Sequence, residues 1–205
     1  MKLWRRAPVT LILLIAIAAV FALEKLLGEQ RLFELGAVLP FRYGEHWRYF
    51  TGLFLHSGAL HWASNTWALY QLGTLYETLF GSKRFALIYF VSGFCASLAS
   101  SLYGHVSVGA SGAIFGIFGA FIFSVLRSPQ YRHQPWVKGL VGQIVFWIVV
   151  NLAIASQFKM VDNTAHVGGL IAGLLLGFLP HRVPPPPPNT YVIDVPSRPY
   201  DEGRF

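Results

Sequence analysis

Six stretches of the chain are apolar over a helical length: about Pro8 to Leu27, Ala59 to Phe80, Phe85 to Tyr103, Gly109 to Val125, Val137 to Gln157 and Ala165 to Leu179. None alternates apolar and polar residues as a strand with one wet face does. A helix needs about 20 residues, with a range of roughly 17 to 25, to cross the hydrocarbon of a bilayer. The last run is short for this, and it starts below the outer surface or sits in a thinned bilayer. Inside hydrocarbon a backbone N–H or C=O finds no water, so a spanning segment has to pair its polar groups internally, as a helix does. The pattern predicts an all-α polytopic membrane protein, a six-transmembrane-helix bundle over residues 1–182.

The segments between these runs differ in character. Residues 28–58 form a long loop carrying Phe33, Phe41, Tyr43, Trp47, Tyr49, Phe50 and Phe54. Trp and Tyr favour the headgroup region, so this outer loop is expected to bed into the membrane interface. Residues 184–188 are consecutive prolines, an extended spacer. With the polar residues that follow, 183–205 reads as a proline-rich, disordered cytoplasmic tail.

Composition supports the membrane reading. Hydrophobic residues make up 54% of the 205 and charged residues 12%, against about 25% charged in soluble domains. Mean hydropathy is +0.50. The net charge of +7 is not gathered into a stripe, which excludes a nucleic-acid partner. It falls between the apolar runs instead. With the N-terminus inside, Lys2, Arg5, Arg6, Lys83, Arg84, Arg127, Arg132, Lys138, Arg182, Arg198 and Arg204 are inner, and only Lys25, Arg31, Arg42, Arg48 and Lys159 are outer. The positive-inside rule then puts both termini in the cytoplasm. The lone Cys95 has no intrachain partner for a disulfide, and packing is its expected role.

That orientation lines up three polar residues. The second, fourth and sixth runs all begin outside, and His61, Ser111 and His166 lie near their starts, at similar depth. A serine hydroxyl is a weak nucleophile until an adjacent base takes its proton. A neutral histidine within about 2.6–3.2 Å suits that task. Gly112, Gly116 and Gly119 on one helix and Gly169, Gly173 and Gly177 on the other form faces that let two membrane helices close up. Proximity therefore comes from the glycines and chemistry from Ser111 and His166. The oxyanion of a tetrahedral intermediate needs donors set in advance. His61 and Asn65, at i and i+4, share a helix face, and the Ser111 backbone N–H lies at a helix start, where N–H groups lack intrahelical partners. Gly109 permits a tight turn into that helix, and Phe115 is placed to lay its ring on His166. His56 supports the oxyanion donors or caps the outer loop.

Competing readings apply to each of these residues. Taken singly, a Gly-x-Ser-Gly in a membrane helix usually serves packing, and either His61 or His166 can be a satisfied helix contact. Asp162 is a weak candidate to orient His166, so a Ser-His dyad is the simpler arrangement. Metal binding by His56, His61 and His166 lacks a HExxH pattern and nearby carboxylates, and no metal or other cofactor is expected. Glu77 is expected to pair with Lys83 or Arg84, and Gln143 and Asn151 to bond between helices. Phe146 and Trp147 are candidates to line a lateral opening.

Several separated motifs, in order, resemble the rhomboid family of intramembrane serine proteases. They are Glu45-His46-Trp47-Arg48-Tyr49-Phe50-Thr51, then His56, His61 and Asn65, then Glu77 and Gly81, then Gly109-Ala110-Ser111-Gly112, and finally Ala165-His166-Val167-Gly168-Gly169 with Gly173. The resemblance covers roughly residues 42 to 180. It implies a bacterial-type six-helix core in an inner or plasma membrane, with a water-filled cavity open to the outer side. It implies Ser111 as nucleophile, His166 as general base and then acid, and His61, Asn65 and the Ser111 N–H as the oxyanion site. Single-span transmembrane proteins would enter laterally near the fifth helix and be cut close to the outer membrane boundary, at a small residue followed by a helix-weakening stretch. Some members carry Tyr where this chain has Phe115, which keeps the stacking and loses a hydroxyl contact. The first run also resembles a signal peptide, with basic Met1 to Arg6, apolar Val9 to Val20 and a cleavage-like Val20-Phe21-Ala22. The family argument favours a retained helix. The alternatives to a protease are an inactive relative that binds membrane helices, and a small transporter, which the absence of polar residues at mid-span disfavours.

Overall fold

The structure, a computed structural model, describes residues 6–157 and 161–180. The proline-rich tail expected over 183–205, Lys2, Arg5 and Lys159 lie outside the described residues. The chain runs through helices α1 (Pro8–Leu27), α2 (Glu29–Gly36), a short α3 (Arg48–Thr51), α4 (Ala59–Phe80), α5 (Ser82–Leu102), α6 (Ser111–Arg127), α7 (Pro135–Ala155) and α8 (Asn163–Phe178). Among the described residues, β structure is confined to one antiparallel bridge, Val38 with Ser107. A helix stands at each of the six apolar runs. The first two have the expected bounds and the others shift by up to three residues, α5 and α8 because polar first turns extend the apolar run. α5 begins at Ser82-Lys83-Arg84, where Gly81 at φ 86° breaks the chain out of α4. α8 begins at Asn163, where the Asp162 side chain accepts the Ala165 N–H.

α1, α5 and α7 are long and apolar enough to span a bilayer by length and composition, while α6 and α8 are apolar but shorter. At 1.5 Å per residue, 17 residues cover only about 25 Å. Both pack against other helices, α6 on nearly all sides and α8 along one face, and do not need to match the lipid unaided. α6 is the axis of the bundle: Ala113, Ile117, Ala120, Phe121 and Val125 are fully buried, with α5 and α8 packed close on it. α7 touches mainly α6 and leaves Phe146, Trp147, Val149 and Ile154 exposed. In water such a surface would drive aggregation; on an integral membrane protein it faces lipid.

Buried polar groups tie the ends of the bundle together. Glu77, 2% exposed, does not pair with Lys83 or Arg84 as expected. Its carboxylate accepts the Val9 N–H at 2.9 Å, the Thr10 N–H at 2.7 Å and the Thr10 hydroxyl at 2.8 Å. A carboxylate thereby closes the positive N-terminal end of α1. Arg84 instead donates to the Tyr76 hydroxyl (2.9 Å), to Ser124 Oγ (3.3 Å) and to the carbonyls of Leu176, Gly177 and Leu179 at the end of α8. Asn151 donates to Trp147 O within its own helix rather than to a neighbour, and Gln143 is exposed. Glu77→Ala strands three donors, at about 1–3 kcal/mol for each buried group left unpaired. Unfolding in detergent should show a loss of about 3 kcal/mol or more, and Glu77→Gln, which keeps a carbonyl acceptor, should lose less. An unchanged melting curve for Glu77→Ala would show that these bonds do not hold α1.

The loop over residues 28–58 is pinned by its own residues. Arg48, 6% exposed, donates to Glu45 Oε2 (2.8 Å), Ala37 O (3.2 Å) and Glu34 O (2.7 Å). Ser101 of α5 donates to Leu39 O at 2.7 Å and shares a 3.2 Å bond with the Tyr49 hydroxyl. These contacts hold the loop against α5, while Phe41, Tyr43, Trp47 and Phe50 stay exposed.

Candidate active site

Ser111 is the first residue of α6, His166 lies in the first turn of α8 and His61 in the first turn of α4. These three helices run in the same direction, so the three side chains gather at one end of the bundle. α6 and α8 approach until their backbones touch: a Cβ on Gly169 would strike the Gly112 carbonyl, and one on Gly173 the Gly116 carbonyl. A Cβ on Gly112 would collide with Ala96 of α5. At that separation a side chain as short as serine reaches the next helix. Ser111 Oγ and His166 Nε2 lie 2.8 Å apart, inside the range for direct proton transfer.

The surroundings hold the imidazole in place. The Phe115 ring lies flat on the His166 ring, with centroids 4.3 Å apart and planes 7° from parallel. His166 is 7% exposed, and its Nδ1 has no protein partner. Asp162 is occupied elsewhere: its Oδ1 accepts the Ala165 N–H and faces His105 Nδ1, both at 3.1 Å. It caps α8, and among the described residues no carboxylate bonds His166.

His61 has a definite tautomer. Its Nδ1 faces the Ser57 N–H at 3.3 Å and the Ser57 hydroxyl at 3.2 Å. A backbone N–H can only donate, so Nδ1 accepts and the neutral ring carries its proton on Nε2. That Nε2 would lie 2.8 Å from a Cβ on Gly109. Gly109, at φ +118°, is therefore fixed twice, by its backbone conformation and by the ring it admits. The His61 Nε2–H thus faces the strand of chain that leads into Ser111. Asn65, 5% exposed, spends one Nδ2–H on His61 O at 2.9 Å and keeps the other. The Ser111 N–H, at the first position of α6, has no carbonyl one helical turn earlier to receive it. A cavity of about 10 Å³ beside Ser111 is lined by Gly52, Ser97, Ser107 and Ala165 among others, about the room one water needs.

His56 is fully buried and turns its ring edge to His61, with centroids 5.2 Å apart. Its Nδ1 bonds Phe54 O at 3.2 Å. Burial first, and then the neighbouring His61, push the His56 imidazole down to about 4. The unfolded imidazole takes its proton near 6.5 and the folded one only near 4, so between those values the unfolded chain binds more protons. This contribution to stability is complete above about pH 6.5 and falls away as the pH drops toward 4, by about 3 kcal/mol in all. Melting in detergent from pH 7.5 to 4.5 should show that decline, and a shallower one in His56→Gln. Parallel curves for the two proteins would remove His56 as its source. Sequence reasoning missed Glu24, a buried acid near the end of α1 whose Oε1 accepts the His56 N–H at 2.9 Å. An acid inside an apolar run was the available signal.

A rhomboid-domain family model matches residues 43–183 of the chain. The Bacillus subtilis (strain 168) protein named rhomboid protease GluP is 40% identical over 131 residues, which are 63% of this chain and 25% of that protein. RHOMBOID-like protein 1 of Arabidopsis thaliana is 41% identical over 137 residues, 66% of this chain and 34% of that one. A second Bacillus subtilis relative, YdcA, is 34% identical over 139 residues, 66% of this chain and 68% of its own length. This chain thus spans a quarter to a third of the first two relatives, and about two thirds of YdcA.

Proposed function

This chain belongs to the rhomboid family, and from that premise we propose that it is an intramembrane serine endopeptidase that cuts transmembrane proteins with a Ser-His dyad. The observation that carries the proposal is the 2.8 Å contact of Ser111 Oγ with His166 Nε2. The Ser111 hydroxyl gives its proton to His166 Nε2 as Oγ attacks the scissile carbonyl carbon. The carbonyl electron pair moves to oxygen, and the resulting oxyanion is met by the His61 Nε2–H, the free Asn65 Nδ2–H and the Ser111 N–H. Collapse of the intermediate breaks the C–N bond, and His166 hands its proton to the departing amine. Water then enters with His166 as base, the ester to Ser111 is hydrolysed, and the serine regains its proton. Each oxyanion donor is worth about 10²–10³ in rate.

The substrate is a single-span membrane protein that enters beside α7, a long helix that packs mainly on α6 and leaves much of its surface exposed, and is cut near the outer boundary. The support for that depth is the position of Ser111, His61 and His166 in the first turns of their helices. Both termini are cytoplasmic, on the distribution of Lys and Arg. α1 remains part of the working protein, on its bonds to Glu77 and its contact with His56 through Glu24.

The test uses the full chain in proteoliposomes with a single-span reporter and a fluorophosphonate probe. Wild type should cleave the reporter and take up the probe, and Ser111→Ala should do neither. Equal cleavage or equal labelling by the two proteins rejects the assignment of the nucleophile.

A further inference from the structure

The geometry points to Glu24 as a positioning residue for the oxyanion site, acting through His56 on His61; this rests on the protease reading above. Glu24 lies in the last turn of α1 and is 1% exposed, although its neighbours Leu23, Leu26 and Leu27 are 45%, 80% and 54% exposed. An acid turned inward from a lipid-facing helix end costs solvation and calls for a compensating role. Its Oε1 accepts the His56 backbone N–H at 2.9 Å, and its Oε2 is buried without a partner.

That single bond fixes the chain at the point where it turns toward α4. His56 is held from both sides, its N–H by Glu24 and its Nδ1 by Phe54 O at 3.2 Å. Its ring then abuts the His61 ring edge-on, 5.2 Å between centroids and 62° between planes. The next residue, Ser57, supplies both donors that keep the His61 proton on Nε2. Placement and tautomer of the His61 donor therefore depend on residues 56 and 57, and those residues are anchored to α1 by Glu24. The stacked pair Phe21 and Trp62, centroids 4.8 Å apart and planes 10° from parallel, binds the same end of α1 to the first turn of α4. The carboxylate does not touch substrate. It sets where a donor stands, and an error of about 1 Å in such a donor can cost about 100-fold in rate.

The experiment measures kcat and KM for the single-span reporter in proteoliposomes, with melting temperature alongside. Glu24→Ala should lower kcat about 10-fold with KM unchanged. Glu24→Gln, which retains a carbonyl oxygen for the His56 N–H, should stay within about twofold of wild type. In a His61→Ala background Glu24→Ala should cause no further loss, because the donor it places is already gone. A merely structural role would multiply the two losses and lower the melting temperature in step. Wild-type kcat in Glu24→Ala, equal damage from Glu24→Gln, or multiplicative losses with His61→Ala would each overturn the assignment. If Glu24→Ala does not fold, Glu24→Asp takes its place: its shorter reach should lower kcat several-fold in wild type and leave His61→Ala unaffected, and wild-type kcat overturns the assignment. An inactive wild type sinks the protease reading and this inference together, whereas active wild type with equally active Glu24→Ala sinks the inference alone.

Discussion

His166→Ala should insert as wild type does, yet cleave a single-span reporter about 10⁴-fold or more slowly. Ser111 keeps its place at the start of α6, but without Nε2 at 2.8 Å nothing accepts its proton as it attacks. Labelling by a fluorophosphonate should fall with cleavage, since the probe also needs an activated oxygen. Loss of the ring removes the face on which Phe115 stacks, so a drop of a few degrees in melting temperature is expected. Because Nδ1 meets no protein group, substitutions at Asp162 should act through the α8 cap, at about 0.5–2 kcal/mol, and through the contact with His105, and not reproduce the His166 defect. Cleavage by His166→Ala within tenfold of wild type would take the imidazole out of the reaction.

The second large effect comes from a methyl group. Gly173→Ala puts a Cβ into the Gly116 carbonyl, and Gly169→Ala one into the Gly112 carbonyl. The obstacle in each case is backbone, which cannot rotate aside, so α6 and α8 have to part. Overpacking costs typically about 1–3 kcal/mol, and contact with main chain places these variants at the upper end. Separation by even 1 Å moves Ser111 away from His166, and activity should fall about 100-fold. Gly139→Ala and Gly142→Ala supply the contrast: a Cβ there meets nothing within 4 Å. Those variants should keep wild-type activity and gain helix propensity, at up to about 1 kcal/mol each. Assays of all four in one membrane preparation separate close approach from a general intolerance of alanine. Full activity in Gly173→Ala would mean that the two helices are not held at this distance in the working protein.

The helices were readable because hydrocarbon leaves a segment little choice. A long apolar run has to be helical, so α1 and α4 appeared with their final bounds. The starts of α5 and α8 were missed by a few residues for a physical reason: Ser82, Lys83, Arg84, Asn163 and Thr164 are polar first-turn residues that hydropathy assigns to the loop. The meeting of Ser111 with His166 could be anticipated because paired glycine faces announce close approach. The partners of isolated charges could not. Nothing in the local pattern around Glu77 says that it receives the N-terminus of α1, or around Glu24 that it holds the N–H of His56. Nearest-neighbour reasoning gave Glu77 to Lys83 or Arg84, whereas Arg84 turns away to the carbonyls of α8. Long-range pairing of single polar groups is set by how helices are arranged, which no periodicity records.

Arg84 carries a mechanical consequence. Its guanidinium gathers α4 through Tyr76, α6 through Ser124 and the last carbonyls of α8 into one knot, at the end of the molecule away from Ser111 and His166. Rods lashed together at the base can splay only at their tips. With α6 and α8 also closed on each other along their glycine faces, the motion this knot leaves to α4 is a hinge about its far end, widest at the turn that carries His61.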